Sequence, residues 1–372
     1  MATSIDISNL NIVSDITRDL PSLQFESSLT EDEKPYLGLR VRSHAIGSSL
    51  CGQATYFTAI LNQARQNILE LKTPPQTKAS KLLRDAPPRD PLLVGLIGCG
   101  RLGTQLANCL LTYADVQPSE LLISTRRPEL LNALSDRGVR CFYDNHQLVQ
   151  SANLIFLCVL PSHLADVVEE IRGSISATST VYSFLSSVPL SRLRYCLGFP
   201  GVVKADLSWS AEDLGLDWDC TEDVCTVLEN QVQVEMTCPL NLLENCFIQT
   251  DTKWAELLLY TFLNLCTSKE LSQEETVSLV NQIVLGQLAS KEYDVCFTSL
   301  DFTRRKGKFP IFDIAAVVSR ETPLTKTINH NTELRALFVK QYKNIFDKFY
   351  YWKGIKQLKK KSEEGDVRLG ST

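Results

Sequence analysis

Apolar and polar positions alternate in two different rhythms between residues 91 and 204. Residues 92–97 form a continuous apolar run ending in glycine, the pattern of a strand buried on both faces. Across residues 101–114, Leu102, Leu106 and Leu110 recur every four positions with Ala107, Leu111 and Ala114 beside them, which predicts a helix with one buried stripe. Residues 121–125 predict a second strand. Pro128 suits the first turn of a helix, with Leu130, Leu131 and Leu134 as its apolar side. Residues 139–143 and 154–159 predict two more strands. Leu164, Val167, Val168 and Ile171 line a further helix, and strands at 180–185 and 202–204 flank a short helix near 190–197. Strand and helix alternating in this way predict an α/β fold with a doubly wound parallel sheet. Right-handed crossovers make 3-2-1-4-5-6 the leading strand order.

The flanks follow other patterns. Residues 1–42 mix polar residues with short apolar patches and read as an arm. A helix is predicted near residues 49–71 from Tyr56, Phe57, Ile60, Leu61 and Ile68. Pro74, Pro75, Pro87 and Pro88 then mark a linker. Beyond Trp209 no strand pattern is convincing; helices are predicted over 254–265 and 274–288. A long amphipathic helix carries Leu334, Phe338, Tyr342, Ile345 and Phe349 into the basic run 353–361. The expected organisation is an arm with one helix and linker (1–89), a nucleotide-type α/β domain (90–210), a mostly helical domain (211–361) and a disordered tail (362–372).

Composition narrows the function classes. The 372 residues hold 38 Lys+Arg against 43 Asp+Glu, a net charge of −5. That lacks the basic excess of a dedicated nucleic-acid binder. The longest apolar run, 154–161, is far short of the ~20 residues that span a bilayer, so no membrane span is expected. Asp6, Asp15, Asp19 and Glu26 argue against a signal or transit peptide. Twelve scattered cysteines suit a reducing, cytoplasmic setting.

The sharpest chemistry is Gly98-Cys99-Gly100-Arg101-Leu102-Gly103, a GxGxxG between a strand and a helix. Gly98 permits the tight turn, Gly100 admits a pyrophosphate to the backbone, and Gly103 lets helix and strand pack closely. Free N–H groups at the helix start then face the phosphate. Together with the strand order this predicts a Rossmann-type dinucleotide site. The second strand ends in Ser124-Thr125-Arg126-Arg127, with no acid before Glu129. An NAD site usually carries Asp or Glu there, whereas a 2′-phosphate needs arginine and small hydroxyls, so NADP(H) is favoured over NAD(H).

With these residues in place the chain resembles the pyrroline-5-carboxylate reductase family and the wider group of small NADP oxidoreductases that includes deazaflavin-dependent reductases. Four blocks carry the likeness: residues 94–100, the stretch Ser124-Thr125-Arg126-Arg127-Pro128-Glu129, residues 145–161 with the step Val159-Leu160-Pro161, and residues 181–188. The resemblance implies phosphate contacts at Ile97, Gly98, Cys99, Gly100, Arg101 and Leu102, and a 2′-phosphate pocket at Ser124 to Arg127. It implies a ribose or adenine contact at Asn145, and a nicotinamide wall from Cys158, Val159, Leu160 and Pro161 with Phe184, Leu185 and Ser186. The implied activity is hydride transfer to a C=N or C=O group of an unidentified small molecule. It assigns no catalytic residue. Leu160 stands where that family usually has lysine, and Ser187 where it has glycine. The family's Gly-rich and Pro-Gly-Gly segments of the helical half are missing after residue 210.

Other candidates carry two readings each. His163 could donate a proton at the switch region or sit on the rim. Lys204 could stabilise a developing anion or be ion-paired, and Ser186 and Ser187 could bond substrate or local backbone. Cys220, Cys225, Cys238 and Cys246 are spaced C-x4-C-x12-C-x7-C, unlike structural zinc, so no metal is expected. The basic run 353–361 could touch an anionic surface or simply solubilise the terminus. The aromatic run Phe349-Tyr350-Tyr351-Trp352 leaves a homo-oligomer open. The rival function is a non-catalytic NADP(H)-binding partner module.

Overall fold

The computed structural model describes residues 28–73, 89–210, 218, 220, 222–244, 246–287 and 294–347. Six short strands, β1 (Val94–Ile97), β2 (Leu121–Ser124), β3 (Arg140–Phe142), β4 (Leu154–Leu157), β5 (Thr180–Ser183) and β6 (Val202–Lys204), form one sheet. The order is β3-β2-β1-β4-β5-β6, and every pairing is parallel. This is a Rossmann-like sheet. Strands β1, β2 and β4 are buried at every position, which is why they read as apolar runs rather than alternations. Ile97 pairs with Ser124 on one side and Leu157 on the other, so three strand ends finish level. The order reverses between β1 and β4, the place where such sheets leave a ligand crevice.

A 36-residue helix, α1 (Leu37–Lys72), comes first. Within the sheet unit follow α2 (Arg101–Tyr113), the single turn α3 (Asn132–Ser135), α4 (Asn145–Ser151), α5 (Leu164–Ile171) and α6 (Leu190–Leu197). The helix expected after Pro128 is only a 3-10 turn, Pro128–Leu130, followed by α3. Leu134 is buried but Leu130 is not, so its leucines do not form one stripe. Beyond the sheet come α7 (Val224–Val227), α8 (Gln231–Thr237), α9 (Lys253–Ser268), α10 (Gln273–Val284), α11 (Ile314–Ser319), α12 (Pro323–His330) and α13 (Thr332–Phe346). A two-stranded antiparallel ribbon, β7 (Leu207–Trp209) with β8 (Ile248–Thr250), also lies here. Three-residue strands are too short to show a period, so neither was legible.

Helix α1 corrects the reading of the N-terminal part as an arm. It begins at Leu37, inside the segment read as arm, rather than near 49. It packs against α2, α8, α9 and α10. Ser48, Ser49, Gln53, Thr55, Thr58 and Asn62 are buried along with its apolar residues. The Gln53 amide donates to the Thr237 carbonyl (3.0 Å) and the Thr250 hydroxyl (2.7 Å). Asn62 donates to the Asp115 carbonyl (2.8 Å). Phe57 meets the rings of Tyr182 on β5 and Trp254 on α9 edge-on, at 5.4 and 6.1 Å. Trp254 Nε1 donates to the Tyr182 hydroxyl at 2.7 Å. Sheet, N-terminal helix and helical region therefore share one core. The proline-rich segment, the aromatic run, the basic run 353–361 and the tail lie outside the described residues. Among the described residues no helix is long and apolar enough to cross a membrane.

Candidate cofactor site

The GxGxxG turn hangs between β1 and α2. Gly98 has φ +87°, the left-handed region that glycine adopts without cost. Its N–H donates to the Ser124 carbonyl (2.8 Å), and the Cys158 N–H donates to the Ile97 carbonyl (2.9 Å), so the turn is pinned to both neighbouring strands. A Cβ on Gly103 would lie 2.6 Å from the Gly98 carbonyl oxygen; this glycine is what lets α2 lie against the strand end. A Cβ on Gly100 would meet no atom within 4 Å. Of the three glycines of the turn, only Gly100 has open space beside it. Among the described residues no side chain caps α2, which leaves its first N–H groups for an outside acceptor.

From this loop a groove of about 560 Å3 runs over the ends of β2 and β3. Ile97, Gly98, Cys99, Gly100, Ser124, Thr125, Arg126, Arg127, Asn145, Cys158, Val159 and Leu160 all line it. Residues predicted from the glycine turn, the second strand end and the fourth strand end are thus brought into one concavity. The Ser124 hydroxyl donates to the Tyr143 carbonyl (3.0 Å), and the Thr125 N–H to the Phe142 carbonyl (3.0 Å), which fixes the approach to the two arginines. The Asn145 amide donates to Glu170 at 2.7 Å. Desolvation pushes the Cys99 and Cys158 thiols above their usual range, so both line the turn as neutral groups.

Several lining residues were not anticipated: Leu130, Leu131, Tyr143, Asp166, Val167 and Glu170. Leu130, Tyr143 and Leu160 are 67, 66 and 64% exposed. Three large apolar side chains left in water around one groove form a surface suited to a flat ring. The only sequence signal was position, since Leu130 and Tyr143 closely follow the ends of β2 and β3. His163 also lines this groove.

Other predicted residues fall elsewhere. Arg101, Leu102, Phe184 and Ser186 line a separate cavity of about 600 Å3, so the two cavities meet at the consecutive residues Gly100 and Arg101. Leu185 is a correction. Its side chain is buried with Leu157, Val188 and Leu193 in one apolar cluster, whereas its neighbour Phe184, also past the end of β5, is buried in another. Pro161 opens a 3-10 turn and lines neither cavity. Lys204 is buried; its ammonium donates to the carbonyls of Ser186 (2.9 Å) and Val188 (3.1 Å) and pairs with Asp206 at 2.8 Å. It is a strut under the loop that follows β5. Among the described residues Cys220, Cys225, Cys238 and Cys246 do not come together as a group: Cys225 lies 3.6 Å from Cys109, whereas Cys246 donates to the Ile248 carbonyl.

The family described as NADP oxidoreductase coenzyme F420-dependent matches residues 93–186. The chain is 31% identical over 345 residues to the NADP-dependent oxidoreductase domain-containing protein 1 of Mus musculus, covering 89% of this chain and 93% of that one. It is 31% identical over 106 residues to the pyrroline-5-carboxylate reductase of Escherichia coli strain K12, which is 28% of this chain and 39% of that enzyme. Among solved structures, a pyrroline-5-carboxylate reductase from Coxiella burnetii aligns with 69% of this chain and 97% of its own, at 16% identity and a TM-score of 0.30.

Proposed function

Because the chain belongs to the family of NADP-dependent oxidoreductase domain-containing protein 1, we propose that it binds NADP(H) in the glycine-loop groove and reduces a C=N or C=O group of a small molecule. The domain itself is an NADP-dependent oxidoreductase domain of the pyrroline-5-carboxylate reductase-like kind. The observation that carries the cofactor reading is the contrast within one loop: a Cβ is sterically blocked at Gly98 and Gly103 but unopposed at Gly100.

The residues present fit the cofactor. The N–H groups at the start of α2 would hold the diphosphate. Arg126 and Arg127, with Ser124 and Thr125, would hold the 2′-phosphate by charge-assisted hydrogen bonds. Leu130, Leu131 and Tyr143 would cover the adenine, and Asn145, steadied by Glu170, would meet its ribose. Leu160, Phe184 and Ser186 would bound the nicotinamide end. NADPH, when bound, supplies a hydride from its nicotinamide ring. The protein's part is to orient the partners and exclude water.

Calorimetric titration of NADPH and NADH into the full chain tests the reading. NADPH should bind the tighter of the two. Arg126→Ala with Arg127→Ala should weaken NADPH at least tenfold more than NADH, about 1.4 kcal/mol. Equal losses would refute the 2′-phosphate assignment, and no heat with either cofactor would refute the whole reading. NADPH consumption with a panel of imines and ketones then tests turnover. Tight binding with no turnover on any compound would support a non-catalytic nucleotide-binding role instead.

A further inference from the structure

A cavity of about 500 Å3 lies at the opposite end of the sheet from the glycine turn. Its floor is the chain just before each strand: Leu92 before β1, Asn153 before β4, Ser179 before β5 and Gly201 before β6. The length of β4 separates Asn153 here from Cys158 in the glycine-turn groove, ~16 Å at a strand's rise. One wall is α9, which presents Thr261, Asn264, Leu265 and Ser268. That i, i+3, i+4, i+7 spacing is a single helix face. The other wall is residues 311–314, and it is pinned from two sides. Asn264 donates to the Phe312 carbonyl at 2.9 Å and accepts from its N–H at 2.7 Å. Arg194 donates to the carbonyls of Val202 and Ile314, at 2.9 and 3.3 Å. The cavity is therefore preformed.

The lining selects by charge and by one hydroxyl. Among the described lining residues only Arg65 and Asp313 are charged. Arg65 is held by Asp90 at 2.6 Å, and the exposed Asp313 caps α11 by accepting the Ala315 N–H at 2.8 Å. An ion entering the cavity would lose water and find no counter-charge left over. Leu61, Leu92, Phe199, Leu265 and Phe312 supply apolar surface instead. Ile311, 63% exposed, adds an apolar rim, which a bound ring would cover. Two of the lining hydroxyls use nearby backbone: Ser179 donates to the Ala152 carbonyl and Ser268 to that of Leu265. Thr261 does not. It is only 7% exposed, and its hydroxyl has no hydrogen-bond partner among the described residues. A helical threonine can donate to the carbonyl four residues back, as Thr58 does to Ala54; Thr261 forgoes even that. Buried hydroxyls are nearly always paired, so one left unpaired on the cavity-facing stripe of α9 points to an oxygen supplied by a ligand.

We propose that this cavity is a ligand site in its own right, for an uncharged compound with a ring and one carbonyl oxygen, to which Thr261 donates. Its size is ordinary for a small-molecule site. The assignment does not depend on the cofactor reading. A compound held here lies at the far end of the strands from the glycine turn, so it is a bound ligand and not one reduced by a cofactor in the groove.

The test uses the full chain and prodan, an uncharged naphthalene ketone whose fluorescence brightens and shifts to the blue in apolar sites. Prodan should bind saturably at one site and stay bound when NADPH is added in excess. In competition with it, 2-acetylnaphthalene should bind about tenfold or more tighter than 2-naphthoate, which has a similar shape but a negative charge. Thr261→Val should weaken 2-acetylnaphthalene roughly fivefold, the effect of one hydrogen bond, and leave 2-ethylnaphthalene within about twofold. A loss of packing alone would weaken both. Ile311→Glu and Ala177→Trp change exposed residues on two separate segments of the lining. Each should cut prodan affinity about tenfold or more, and melts matching the parent show that the variants fold. No saturable binding, displacement by NADPH, equal affinity for ketone and carboxylate, or binding that survives both of these substitutions would overturn the site. Ketone affinity unchanged in Thr261→Val, or lost in parallel with that of the hydrocarbon, would overturn the role given to the hydroxyl.

Discussion

Replacing Gly100 by alanine separates binding from folding in a way no other position in the glycine turn allows. Its backbone, at φ −81° and ψ −161°, is extended and open to any residue, and the added methyl would touch nothing. Two small effects on stability oppose each other. Alanine reduces the freedom of the unfolded chain, worth ~0.4–1 kcal/mol, but is the poorer helix N-cap by about the same amount. The net change should stay within about 1 kcal/mol. The methyl does occupy the groove at the place where a diphosphate would approach the α2 N–H groups. Losing one charge-assisted hydrogen bond there costs about 1.5–3 kcal/mol, so NADPH should bind roughly 10- to 150-fold more weakly. Gly103→Ala is the opposite case. Its Cβ would collide at 2.6 Å with a backbone oxygen, and such overpacking costs about 1–3 kcal/mol, visible as loss of stability with or without ligand. Urea denaturation and calorimetry on both variants supply the comparison. Parent-like NADPH affinity in Gly100→Ala would refute the placement of the diphosphate.

Three further outcomes follow from the packing. Asp90 accepts from Arg65 (2.6 Å) and Lys269 (2.8 Å); burial raises its pKa, but the two cations outweigh burial and hold it below the usual value. Its contribution is therefore present above about pH 4, the range of an unfolded aspartate, and is lost as pH falls through the lower folded value. Asp90→Asn should cost about 1–2 kcal/mol near pH 7 and progressively less in acid; a pH-independent difference in urea midpoints would contradict this. Trp254→Phe leaves the buried Tyr182 hydroxyl without its donor and should cost about 2–4 kcal/mol. Adding Tyr182→Phe should then cost less than it does alone, and strict additivity would show that the 2.7 Å bond contributes nothing. Lys204→Met removes the strut beneath residues 186–188. Amide exchange there should quicken at least tenfold, consistent with a lost local stabilisation of about 1.4 kcal/mol or more; unchanged exchange would mean the loop is held by other contacts.

The groove at the glycine turn was legible in the chain because its parts are local. A glycine turn, a strand end and the two arginines after it each announce themselves within a few residues. The order β3-β2-β1-β4-β5-β6 followed from strand–helix alternation and one rule of handedness. Leu130 and Tyr143 were missed because exposed apolar residues in a turn carry no period. Leu185 was misplaced because it lies beyond Ser183, the last residue of β5, where the turn of the chain rather than a strand period sets the direction of a side chain.

Helix α1 was predicted in its larger part, but what it packs against was hidden for a different physical reason. It is buried on nearly every side, so its polar residues do not gather on a solvent face. They bond instead to partners far along the chain, as Gln53 does to Thr237 and Thr250. Amphipathic periodicity reports only a helix with water on one side. The chain by itself thus determined the sheet, the glycine turn and the pair of arginines after the second strand, all written in short-range patterns of burial and charge. Only tertiary packing decided that α1 would thread the core and set Phe57 against Tyr182 and Trp254, because that juxtaposition is made by contacts between segments that no local pattern links.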